Sequence, residues 1–167
     1  VRHEKRNRFI RNLTISQEGN TLLLFQFVEK HGRVLFDDIN NRVGEERKVF
    51  FVHGGTDSTD REEIRRITEQ SENAIIIASY GTFSTGVNIR NLHNIIFASP
   101  SKSRVRNLQS IGRGLRKSDT TTAATFYDNL DDLKWQSYRN FTLEHFLRDS
   151  FLPKIIRMLL LPPYHSC

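Results

Sequence analysis

The sequence predicts an α/β fold in which a mainly parallel sheet is flanked by helices. Five short apolar runs recur along the chain without alternating polar and apolar residues. Such runs are typical of strands that are buried on both faces, as in parallel sheets. Segments with a helical spacing of apolar residues lie between the runs, and this alternation of strands and helices is the pattern of parallel α/β proteins.

The predicted strands are bounded by turn-forming residues, such as Gly19-Asn20 before the first and His53-Gly54-Gly55 after the second. In chain order the strands are residues 21–27 (TLLLFQF), 48–52 (KVFFV), 74–78 (AIIIA), 94–98 (NIIFA) and, more weakly, 123–127 (AATFY).

Four segments have the apolar spacing of helices: residues 2–15, 33–41, 59–69 and 104–116. The third begins with Thr59 and Glu62, which have the spacing of a capping box. The fourth contains Gly112 and Gly114, which lower helix propensity and therefore need another reason to be there. The side chains expected to face the sheet are Phe9, Ile10, Leu13, Val34, Leu35, Ile39, Ile64, Ile67, Val105, Leu108, Ile111 and Leu115.

The pattern fades beyond residue 128. Residues 138–150 have the spacing of a helix, and Pro153 and the pair Pro162-Pro163 interrupt the rest of the chain. We therefore expect one domain over residues 1–132, then a C-terminal helix and an irregular tail over residues 133–167.

Composition narrows the class of protein. The single cysteine, Cys167, excludes a disulfide scaffold and a cysteine-based zinc site. No apolar run approaches the roughly 18 residues of a membrane span, and no signal peptide is visible, so we expect a cytoplasmic protein without a membrane partner. The chain opens on Val1 rather than Met, which suggests a piece of a longer protein. A net charge of +6 favours polyanionic partners, nucleic acid first.

Several kinds of active site are not supported. The chain has no G-x-x-x-x-G-K-[ST] phosphate loop and no G-x-S-x-G nucleophile elbow. The spacing of its histidines is not that of metal ligands.

Residues 79–88 (SYGTFSTGVN) form a candidate phosphate-binding loop, because ligands of parallel sheets bind beyond the carboxyl ends of the strands. Four Ser or Thr hydroxyls and two glycines fall between Ser79 and Gly86. Small hydroxyls suit phosphate oxygens, and glycine lets a backbone approach closely. The composition is equally compatible with an ordinary loop.

Residues 109–116 (QSIGRGLR) place Gln109, Arg113 and Arg116 on one face of the predicted helix. Two guanidinium groups on one edge can hold an anionic group, although an R-x-x-R pair is also common on solvated helix faces. Six cations and no acid occur within residues 102–117. Because no acid lies among them to form i, i+4 salt bridges on the helix, this block, which begins with Lys102 and Arg104, indicates a polyanion-binding surface.

The order of FQF, HGG, ASYGTFSTGVNI, NLHN and QSIGRGLR resembles the second RecA-like domain of superfamily-2 helicases, and most closely the phage UvsW-type recombination helicases. The resemblance covers residues 4–132. It implies a three-layer RecA-like domain with a mainly parallel sheet.

The resemblance also implies roles for individual residues. Two departures from the family are Asn88, where many relatives have Asp, and Gln109, where many have His. The implied nucleotide-binding residues are Gly86, Asn88, Gln109, Arg113 and Arg116, the last two being catalytic arginine fingers. The nucleic-acid-binding residues are Gln26, Phe27, His53, Gly54, Ser79, Tyr80, Gly81 and Thr82, to which the charge block adds Lys102 and Arg104.

The function implied is that of the C-terminal motor domain of an ATP-dependent DNA helicase that acts on recombination and replication intermediates. ATP and Mg²⁺ would be held mainly by a first, N-terminal RecA-like domain, so these 167 residues alone are expected to hydrolyse no ATP. The partners are then DNA and that first domain. Two alternatives stay open: a chromatin-remodeller-like translocase that separates no strands, and a nucleic-acid-binding module that has lost catalysis.

Overall fold

A computed structural model describes residues 4–84, 89, 91–99, 123–128 and 155–160, with the backbone alone described for Ser84 and for the last two ranges. The helices are α1 (Glu4–Ser16), α2 (Arg33–Asn40), α3 (Ser58–Glu69) and the short α4 (Tyr80–Ser84), and a π-helical turn (Val28–Gly32) leads into α2. The strands are β1 (Thr21–Phe25), β2 (Val49–Val52), β3 (Ile75–Ser79), β4 (Asn94–Phe97), β5 (Ala123–Asp128) and β6 (Ile155–Leu160).

The six strands form one parallel sheet in the order β2-β3-β1-β4-β5-β6. All residues of β1, β3 and β4 are buried, whereas β2, at the edge, is only partly buried. The five predicted strands therefore exist and are parallel. Strand β6 is an addition, since the sequence pattern predicted an irregular tail there. Arg157 interrupts its Leu and Ile residues, and prolines flank the segment, so it lacks the continuous apolar run that predicted the other strands.

The side chains of alternate strand residues pack into two hydrophobic cores, one on each face of the sheet. Leu23 and Phe25 of β1 pack with Ile10 of α1 and with Leu35 and Ile39 of α2. On the other face the neighbouring residues of β1 pack with α4 and with Ile64 of α3. The predicted three-layer α/β architecture is confirmed.

Two of the described helices, α3 and α2, differ from prediction, and the predicted helices 104–116 and 138–150 lie outside the described residues. Helix α3 begins after Asp57, one residue before the predicted start at Thr59, and no side chain caps it. The predicted capping box was wrong because Glu62 pairs with Arg65 one turn later instead of reaching back to Thr59. In α2, Val34 is 48% exposed although its spacing suggested an inward position.

The amino-terminal edge of the sheet is held together by the buried side chain of Asn20. Its Nδ2 donates to the carbonyl oxygens of Thr68, Ser71 and Asn91, and its Oδ1 accepts from the amide of Ala74. The backbone amide of Asn20 also donates to Nδ1 of His93. The NLHN motif therefore has a structural role at the edge opposite the predicted site.

In the described part of the chain, none of the helices has the length and apolar content that crossing a membrane requires.

Candidate nucleic-acid interface

The parallel sheet brings three of the predicted segments to one edge. Gln26 and Phe27 follow β1, His53 and Gly54 follow β2, and Ser79 ends β3. Because β3 lies between β1 and β2, their carboxyl ends are neighbours. Gln26, Phe27 and Gly54 are exposed. Phe27 is 48% exposed, so its ring is available for stacking or packing.

His53 is fixed in a tight turn after β2. Its amide donates to Oγ1 of Thr56, and the Thr56 amide donates back to the His53 carbonyl. Nδ1 of His53 accepts a hydrogen bond of 3.1 Å from the amide of Gly55. A neutral imidazole that accepts at Nδ1 carries its proton on Nε2, so the ring presents Nε2 as a donor.

The ring of Phe51, two residues earlier, packs against the His53 ring and so supports this turn. Its ring centroid lies 5.2 Å from that of His53 and 5.5 Å from that of Phe25. The guanidinium carbon of Arg33, the first residue of α2, lies 4.5 Å from the Phe51 centroid. None of the sequence motifs includes Arg33, because an arginine at a helix start carries no pattern signal.

The segment predicted as a phosphate-binding loop begins with a helical turn, α4, and turns most of its side chains inward. The hydroxyls of Ser79 and Thr82 lie 2.7 Å apart and are buried. The hydroxyl of Tyr80 donates to the carbonyl oxygen of Ser99 at 2.7 Å. Of the four residues predicted here, Gly81 alone is exposed, so its backbone forms the surface while its neighbours fix the shape of the turn.

A buried polar network behind this edge joins the predicted residue Tyr80 to His31 and Ser99, which were not predicted. Nδ1 of His31, in the π-helical turn, lies 3.0 Å from the hydroxyl of Ser99, whose carbonyl accepts from Tyr80. The network ties the segment after β1 to those after β3 and β4. Burial, and then the nearby charge of Arg6, lower the pKa of His31 to about 4. His31 is therefore neutral at physiological pH. Nothing in the sequence around His31 predicted this contact.

Gly54 and Gly81 share with Gly44, which lies before β2, a property that nothing inside the described part of the domain explains. A Cβ atom at any of the three positions would meet nothing within 4 Å. All three residues have a negative φ, since Gly19 is the only glycine with a positive φ in the described part of the chain. Neither the backbone conformation nor internal packing therefore requires glycine there.

Seven predicted site residues lie outside the described residues: Gly86, Asn88, Lys102, Arg104, Gln109, Arg113 and Arg116. Their roles stay predictions. Within the described part of the chain, no three His, Cys, Asp or Glu side chains come together as metal ligands would.

Comparisons with known proteins agree with the fold. The model of the helicase conserved C-terminal domain matches residues 4–118. The ATP-dependent DNA helicase UvsW of phage T4 is 40% identical over 130 residues, which are 76% of this chain and 25% of that protein. The crystal structure of T4 UvsW superposes with a TM-score of 0.63 at 31% identity, covering 93% of this chain and 35% of that one.

The chain thus spans about a quarter of the length of the curated relative it matches. The predicted resemblance and the RecA-like fold are confirmed by these similarities. A family model that spans residues 4–118 covers the region from α1 to β4. This chain belongs to the helicase C-terminal domain family.

Proposed function

We propose that this chain is the C-terminal motor domain of an ATP-dependent DNA helicase that unwinds or branch-migrates recombination and replication intermediates. Its relative in phage T4 is a DNA helicase. In this proposal the carboxyl-terminal edge of β1, β2 and β3 is half of a groove that grips the DNA backbone.

The proposal is carried by two glycines of this edge that have open space around them. Gly54 and Gly81 both lie on that edge, both are exposed, and a side chain at either would meet only open space. A body that comes close to the backbone from outside, such as a nucleic-acid strand, accounts for a residue that the domain itself does not need.

The remaining groups on the edge fit a contact with phosphates. His53 offers Nε2 as a donor from a fixed turn, and the buried hydroxyl pair of Ser79 and Thr82 holds the turn that exposes Gly81. Donors of this kind, aimed at the strand backbone, give binding that tolerates any sequence and weakens as salt is added.

The nucleotide side of the proposal rests on the predicted residues outside the described part. Gly86, Asn88 and Gln109 would contact the nucleotide, and Arg113 and Arg116 would reach its γ-phosphate from across the interface with a first RecA-like domain. Mg²⁺ bound with ATP supplies charge neutralisation of the phosphates, and it would be held mainly by that first domain. An arginine finger contributes about 10³–10⁵ in rate in nucleoside triphosphatases.

DNA binding by glycine-to-alanine variants tests the groove. We expect Gly54→Ala and Gly81→Ala each to weaken binding of the full chain to single-stranded DNA at least about fivefold, because the new methyl group keeps the backbone at a distance. Gly44→Ala is the matched control, since Gly44 is also exposed with open space around it but lies before β2, at the opposite edge.

Melting temperatures should stay level or rise slightly in all three variants. Wild-type affinity in both edge variants would contradict the groove. A strand-displacement assay on a protein that carries both RecA-like domains then separates a helicase from a translocase that separates no strands, and from a binding module without ATP hydrolysis.

A further inference from the structure

We propose that Arg33 is a further nucleic-acid-binding residue, which holds a backbone phosphodiester together with His53 and is kept in position by the ring of Phe51. The inference rests on the proposed function and adds to it a residue outside the predicted motifs.

The geometry places two phosphate-binding groups on one support. The Arg33 guanidinium carbon lies over the Phe51 ring at 4.5 Å, and the His53 ring packs against the same ring at 5.2 Å between centroids. Phe51 is itself held by contacts with Phe25 and Phe36, at 5.5 and 5.3 Å. Both groups therefore lie near the carboxyl end of β2, and His53 directly precedes Gly54 in the chain.

Arg33 differs from several other arginines of the described part in having no polar partner there. Arg11 and Arg42 pair with Asp38, and Arg65 pairs with two glutamates of α3. Arg47 donates to backbone carbonyls. The N–H groups of the Arg33 side chain make no hydrogen bond to any described residue, and no described carboxylate lies within ion-pair distance of them.

The ring contact explains how an unpaired guanidinium is useful. Arg33 is half-buried, so its side chain is partly ordered before any ligand arrives. A guanidinium that stacks by its face keeps its N–H edge for an anionic group, and this fits a phosphodiester better than an ammonium would. Nε2 of His53, on the same aromatic support, supplies a further donor. Since neither group reads a base, the contact adds affinity without sequence preference.

The test measures how binding of the full chain to a labelled single-stranded oligonucleotide depends on salt. Arg33→Gln should weaken binding about fivefold to tenfold at low salt, and it should reduce the slope of log K against log salt by about 0.7, the value for one lost contact to a single strand. Arg66→Gln is the matched control, because Arg66 is an exposed arginine on α3 with the same charge. It should leave affinity and slope unchanged.

Arg33→Lys tests the role of the ring. A lysine keeps the charge but not the flat contact with Phe51, so we expect the wild-type slope with an affinity between those of wild type and Arg33→Gln. An Arg33→Lys variant that binds like wild type would overturn the claim that Phe51 positions the group.

The outcomes separate this inference from the function on which it rests. If wild type binds DNA with a steep salt slope and Arg33→Gln matches it, or Arg66→Gln loses as much, Arg33 is not a phosphate contact although the groove stands. If wild type binds no DNA, both proposals fall. ATP binding, measured in a protein with both RecA-like domains, should be unchanged by Arg33→Gln; a loss there would assign Arg33 to nucleotide phosphates and overturn the inference.

Discussion

Acid should destabilise this domain through one buried histidine, His31. The ring is fully buried, with Nδ1 against the hydroxyl of Ser99. Burial lowers its pKa from 6.5 to about 4, so between these pH values His31 is protonated in the unfolded chain but not in the folded domain. His31 therefore does not lower the free energy of unfolding above pH 6.5. That free energy falls as the pH drops from 6.5 to 4, and His31 lowers it no further below pH 4.

The size of the loss follows from the shift in pKa. Each unit corresponds to about 1.4 kcal/mol, so the difference between 6.5 and about 4 amounts to roughly 3 kcal/mol. A typical domain has about 5–15 kcal/mol of stability in total. The effect of His31 alone is thus large enough to measure against that background.

Urea unfolding of wild type and His31→Gln across pH 4 to 7 isolates the effect. Carboxylates also titrate in this range; Asp38 is one, since hydrogen bonds from Arg42 and Arg11 outweigh its partial burial and lower its pKa. Their contribution is the same in both proteins and cancels in the difference. We expect wild type to lose about 3 kcal/mol more than the variant on going from pH 7 to pH 4. Parallel curves would refute the reasoning, as would an NMR titration that shows His31 protonated at pH 6.

Two further predictions concern the amino-terminal edge. Asn20→Ala removes an amide whose two Nδ2 hydrogens serve three carbonyls and whose Oδ1 accepts from Ala74; urea unfolding should show a loss of about 3–5 kcal/mol, against less than about 0.5 for the exposed Asn12→Ala control. Gly19→Ala puts a side chain on a residue with φ of 85°, with its Cβ 2.7 Å from Cγ of His93; it should lower stability by about 2–3 kcal/mol, and an unchanged melting temperature would contradict this.

The strands and their burial on both faces could be predicted because the signal is local. Unalternated apolar runs such as 21–25 and 75–79 follow directly from burial on both faces of a central strand. Strand β6 was not predicted because prolines flank it and Arg157 interrupts its apolar residues. Its pairing with β5 is also a contact between residues distant in the sequence.

The candidate site was predicted less completely, for a related reason. Motif order predicted Gln26, Phe27 and Gly54 as site residues, and the structure places all three, exposed, in loops after strands. It did not show that the hydroxyls of Ser79 and Thr82 bond to each other rather than face outward.

The contacts of Arg33 and His31 depend on partners far away in the chain, such as Phe51 and Ser99, and no spacing rule reports such contacts. The capping box failed because Glu62 has a competing partner, Arg65, one turn away on the same helix.

In the proposed function, this domain completes an ATPase site while it grips DNA. The most direct measurement is DNA-stimulated ATP hydrolysis by a protein that carries both RecA-like domains, with Arg113→Ala compared with wild type and DNA affinity measured in parallel. We predict a loss of turnover of about 10³-fold or more with DNA affinity within about twofold of wild type. Unaltered turnover in Arg113→Ala would contradict the claim.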